Sequence, residues 1–86
     1  MESARHHAST PATYEIVVAG RLDARWSSRL GGMRIVNRRG PVGAVTVLRG
    51  EVADQSALLG VLNTLHAIGM PLRAVEQIDD TPEFDP

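Results

Sequence analysis

Apolar and polar residues alternate through TYEIVVAG (13–20), with Tyr14, Ile16 and Val18 on one side and Glu15, Val17 and Ala19 on the other. A period of two built from β-branched and aromatic residues predicts a strand. Apolar residues on both of its sides predict that it is largely buried. MRIVNR (33–38) and AVTVLRGEV (44–52) read as two further strands, and RRGPVG between them has the turn residues to join them as a hairpin. The period then changes. In DQSALLGVLNTLHAIGMP, Leu58, Val61, Leu62, Leu65 and Ile68 fall on one face of a helix that Asp54 can cap. Gly69 suits the position just past its end, Met70 can fold back over Leu65, and Pro71 forbids continuation. LRAVEQI (72–78) closes the pattern as a fourth strand.

Between the first two strands lies LDARWSSRLGGMRI (22–35), where Asp23 can cap a helix of about two turns over 24–30 that Gly31 and Gly32 stop. Leu22, Trp26 and Leu30 are four apart, so a helix would stack them on one side and press them onto a sheet. The resulting order, β-α-β-β-α-β, predicts an α+β, ferredoxin-like fold: a short first helix and a long second helix on one face of a four-stranded antiparallel sheet. Right-handed crossovers give the strand order 4-1-3-2. The opposite face would then carry Glu15, Val17 and Ala19 with either two of Ala44, Thr46 and Leu48 or Val45 and Val47, a partly apolar surface of the kind a second subunit covers.

Eighty-six residues are enough for one core, placed here at 13–78, with flexible tails at 1–12 and, acidic and proline-containing, at 79–86. Without cysteine there is no disulfide to supplement that core, which raises the expectation of a homo-oligomer. No apolar run approaches membrane-spanning length, and MESARHHAST lacks the apolar stretch of a signal peptide, so a cytoplasmic protein without membrane contact is expected. All nine basic residues are arginine. They are unevenly spread: residues 21–49 hold seven arginines against Asp23, whereas 51–86 hold seven acids against Arg73. Segregation of this kind either marks a basic face for an anionic partner or lets two halves satisfy each other, within one fold or across a dimer.

No sequence pattern for a nucleophile elbow, phosphate loop, dinucleotide fold, zinc protease or calcium loop occurs. No catalytic residue, metal ligand set or cofactor is therefore assigned. The adjacent His6 and His7 lack a third ligand fixed in space. His66 falls near the end of the long helix at the edge of its buried stripe, with Asn63 one turn earlier, and the two together are the candidates for a polar pocket. Arg21, Arg25 and Arg29 repeat every fourth residue beside Trp26. The three arginines and the tryptophan form the candidate ligand or anion site, to which the amides of the helix start would add donors. Only three aromatic residues are present, too few to build the stacking platforms of a single-strand RNA reader, so nucleic acid is not the expected partner. Gly60 interrupts the long helix on a side made of small residues.

Three stretches carry a resemblance: G-x-L-D-x-R-W at 20–26, L-x-G-x-V-x-D-Q-x-A-L at 48–58 and L-x-x-L-x-x-x-G-x-P-L at 62–72. They resemble a family of small uncharacterised proteins common in actinobacteria, which implies a single-domain bacterial protein and brings no functional residue with it. A looser resemblance is to ACT-like regulatory modules, which bind small molecules near the first strand-to-helix turn of a dimer; that turn here is GRLDARW, without the proline-glycine entry of those modules. Dimeric α+β barrel monooxygenases would ask for a Trp, an Asn and a His around one pocket, for which Trp26, Asn63 and His66 are the nominal residues. The leading expectation is a non-catalytic, homodimeric interaction or regulatory module with a protein or small-molecule partner. The alternative is a small-molecule sensor or a dimeric α+β barrel-type enzyme with its pocket near Trp26.

Overall fold

The computed structural model describes residues 11–78. Of the tails expected at 1–12 and 79–86, residues 1–10, with His6 and His7, and 79–86 lie outside the described residues, and residue 12 is already in a strand. β1 spans Ala12–Ala19, β2 Arg34–Gly40, β3 Gly43–Val52 and β4 Leu72–Ile78, and the one α-helix among the described residues, α1, spans Gln55–Ala67. The strands form a single antiparallel sheet in which β2, β3, β1 and β4 are successive neighbours.

The period-two side of β1 that holds Ile16 and Val18 is fully buried, and directly opposite partners extend it across the sheet: Ile16 faces Leu48 of β3, which faces Ile35 of β2. α1 lies on this side and contributes Leu58, Val61 and Leu65, while Leu62 and Ile68 pack at the margin. Asp54 caps the helix through Oδ1, which accepts from the Ala57 amide at 2.9 Å. At the other end Gly69 takes φ +80°, so that its amide donates to the His66 carbonyl and the Met70 amide to the Leu65 carbonyl. These are the paired bonds of a Schellman stop, and they carry Met70 onto the core as its place after the glycine predicts.

The first helical segment differs from the α-helix expected over 24–30. It is a 3-10 helix, Ala24–Arg29, in which no residue is buried. At about three residues per turn, positions four apart no longer stack. Leu22 and Leu30, just outside the segment at either end, go into the core, while Trp26 between them stays half-buried at its edge. Gly31 and Gly32, both at positive φ, then turn the chain. Met33 was expected to begin the second strand; it precedes β2 and is a core residue at 1% exposure, lying close over Gly50 of β3.

α1 does not cover the whole sheet. β4 forms one edge, with a bulge that inserts Arg73 between the pairs Val17–Ala74 and Val18–Leu72. On its core-facing side Leu72 and Val75 remain 54% and 38% exposed. The opposite sheet face has no element over it among the described residues. It carries Val17 and Ala19 of β1 with Val45 and Val47 of β3, which decides between the two registers considered for β3: Thr46 and Leu48 point into the core. Val36 of β2 and Ala74 of β4 continue the same apolar band.

Candidate functional site

The loop from β1 into the 3-10 helix is held to the sheet by two polar side chains at core-facing positions. Asn37 of β2 accepts from the Leu22 amide through Oδ1 at 2.9 Å and donates from Nδ2 to the Leu22 carbonyl at 3.0 Å. It thereby imitates a strand neighbour for one residue. Thr46 of β3, fully buried, lies with Oγ1 2.7 Å from both the Gly20 carbonyl and Asn37 Oδ1, so its single proton is shared between two acceptors. The Gly20 amide adds a bond to the Ala44 carbonyl at 2.9 Å. At the far end of the segment Ser27 Oγ donates to the Met33 carbonyl at 2.7 Å, and the Gly32 amide to the Ser27 carbonyl at 2.8 Å. The segment is anchored at both ends although none of its own residues is buried.

Anchored in this way, the segment presents an open cleft of about 330 Å³ lined by Asp23, Arg25, Trp26, Ser28 and Arg29. The Arg29 guanidinium lies over the Trp26 ring, 5.3 Å from its centroid, a cation–π arrangement that fixes one wall. Arg25 and Asp23 meet at 3.4 Å with side chains 90% and 54% exposed, a water-screened pair of small energetic value. Asp23 also accepts the Arg25 amide at 2.8 Å. That backbone bond, followed by the side-chain bond to Arg25, holds the Asp23 carboxyl below the usual carboxylate range.

Two of the three expected arginines therefore come together with the tryptophan, and Arg21 does not line the cleft. Two of the helix-start amides expected as anion donors are already used: that of Arg25 by the Asp23 carboxylate and that of Trp26 by the Asp23 carbonyl at 3.0 Å. The reason is local, since an aspartate that caps a segment this short occupies the donors an external anion would need. Asn63 and His66 are exposed on α1, and neither lines the cleft beside Trp26. Among the described residues no cluster of three or more His, Asp or Glu could hold a metal ion, and no helix is long and apolar enough to cross a membrane. The cleft offers two guanidinium groups, one of them paired with the Asp23 carboxylate, together with one hydroxyl and an aromatic wall, equipment for holding a flat group with an acidic substituent.

Asn37 and Thr46 belong to none of the sequence motifs. Their signal was present: Ile35-x-Asn37 and Thr46-x-Leu48 each place a polar residue on a side that is otherwise apolar, in two strands expected to form a hairpin.

Nothing among the curated proteins or the solved structures matches the chain. A family model described as "Domain of unknown function (DUF8691)" matches residues 13–76. That match spans most of the sequence and all but the ends of the sheet, and the chain belongs to this family.

Proposed function

We propose that the protein is a small, non-catalytic interaction or regulatory module that works as a homodimer through its open sheet face. The observation that carries this reading is the band formed by Val17, Ala19, Val36, Val45, Val47 and Ala74, which no described element covers, whereas α1 packs over the centre of the other face. Burying apolar area of this kind is favourable by roughly 25 cal/mol per Å². A second copy of the same sheet is the simplest surface to bury it against. With the 3-10 segment taken as a shortened first helix, the element order and strand neighbours fit a ferredoxin-like βαββαβ arrangement, in which dimers through the helix-free face are at home. The reading places the module in the bacterial cytoplasm. Sedimentation or light scattering across micromolar concentrations tests it: a concentration-dependent dimer is expected, and a strictly monomeric species refutes the homodimer.

A second reading is favoured by one observation, the half-buried Trp26 ring under Arg29 in a cleft that Arg25 also lines. A sensor that takes a flat anionic metabolite in this cleft would change tryptophan fluorescence on binding, and Arg29→Ala would abolish the response.

A further inference from the structure

The charges on the open face are arranged in an order that a lone sheet does not favour. Glu76 of β4 stands directly opposite Glu15 of β1, and Arg34 of β2 directly opposite Arg49 of β3, with Glu15 opposite Arg49 in the middle. Read across the sheet, one row runs Glu76, Glu15, Arg49, Arg34. Like charges directly opposite on neighbouring strands are destabilising, and this row contains two such pairs. The next row along the strands, Ala74, Val17, Val47 and Val36, is wholly apolar. Four strands place the two outer members at equal distances from a line running between β1 and β3.

We infer that the homodimer has its twofold axis along that line, parallel to the strands, so that in this row each copy lays its acidic pair over the basic pair of the other. Such an axis exchanges β4 with β2 and β1 with β3 while keeping every row at its own height. Glu76 then meets Arg34 of the second copy, Arg34 meets Glu76, and the valine rows close on each other. An axis across the strands would instead set the charged row against an uncharged one or, if it ran along that row, each charge over its own copy. Arg49 is already engaged within its own chain, so the discriminating pair is the outer one. Both Glu76 and Arg34 are exposed at the sheet edges. With strands about 4.8 Å apart and about 3.3 Å per residue, the face measures roughly 19 by 23 Å, on the order of 900 Å² for two copies. This lies at the low end for a specific interface, so a reversible micromolar dimer is expected, in which two symmetry-related charge pairs decide the orientation.

This inference rests on the homodimer proposed above, and the experiment separates the two. Glu76→Arg and Arg34→Glu are prepared singly, their folds are checked by circular dichroism, and each is measured by sedimentation velocity alone and as an equal mixture. Alone, each places like charges over each other twice, and its dimer weakens by roughly tenfold or more. In the mixture, Arg at 76 meets Glu at 34 and the native Arg34 meets the native Glu76, so a heterodimer as strong as the wild-type dimer forms. A misfolded variant could not produce that recovery. If the wild type dimerises but the reversals change nothing, or the mixture stays as weak as its components, the strand-parallel axis is overturned and the homodimer stands. A wild type that is monomeric to about 100 μM overturns both.

Discussion

Replacing Asn37 by Ala removes both bonds that hold Leu22 to the sheet, those at 2.9 and 3.0 Å, and the acceptor that shares the Thr46 hydroxyl proton. A typical intramolecular hydrogen bond contributes about 1 kcal/mol net, but a buried group left without a partner costs about 1–3 kcal/mol. Leu22 is 5% exposed, so its amide and carbonyl cannot both recover water without the loop lifting from the core. The expected loss is therefore about 2–3 kcal/mol. A domain of this size shifts its melting temperature by roughly 4–8 °C per kcal/mol, which makes the drop about 10–20 °C. Thr46→Val keeps the volume and deletes the shared proton, with an expected loss of about 1 kcal/mol. Because the two side chains meet at Asn37 Oδ1, the double variant should deviate from additivity by at least about 0.5 kcal/mol. Urea denaturation followed by circular dichroism measures all three. An Asn37→Ala loss below about 0.5 kcal/mol, or strict additivity with Thr46→Val, would refute the idea that this pair anchors the loop.

Two glycines of similar appearance should respond in opposite directions. A methyl at Gly60 meets nothing within 4 Å and the backbone there is helical, so Gly60→Ala should stabilise by about 0.5–1 kcal/mol in urea titration. At Gly50 the methyl would lie 3.2 Å from Met33 Cα, a backbone atom, so Gly50→Ala should cost about 1–3 kcal/mol and lower the urea midpoint. Asp23 has its carboxyl pKa lowered in the fold, so its contribution is complete above the unfolded value of about 3.9 and is lost as pH falls through the lower folded value. Trp26 fluorescence between pH 6 and 2 should show that local transition, and Asp23→Asn should remove it. Arg29→Ala should alter Trp26 emission while changing stability by less than about 1 kcal/mol, since an exposed cation–π contact is worth about 0.5–1 kcal/mol.

The long helix and the fourth strand were legible because their signals are local and agree with one another. Asp54, the i, i+3, i+4 stripe and Gly69 all mark the same helix, and LRAVEQI coincides with β4. The segment after β1 was harder to read. Asp23 and the two glycines mark its ends, but nothing in six residues distinguishes an i+3 from an i+4 hydrogen-bond pattern, and that difference moves Trp26 from the core to its rim. The candidate site was legible as a set of residue types: Arg25, Trp26 and Arg29 do share a cleft. Arg21 was grouped with them by a four-residue spacing that a 3-10 helix does not respect. The anchoring role of Asn37 and Thr46 depends on which residues of two strands stand side by side, a long-range property that becomes readable only once the hairpin register is known.

The bulged edge strand has a consequence for how the molecule opens. β4 is joined to the rest of the domain by its ladder to β1, and it buries little of Leu72 or Val75. Amides bonded between β4 and β1 should therefore exchange with solvent well before those between β1 and β3, through a local opening that leaves the other three strands and α1 in place. In that open form the freed side of β1 is a bare ladder of donors and acceptors. An incoming strand, whether β4 of another copy or an unrelated segment, could occupy it.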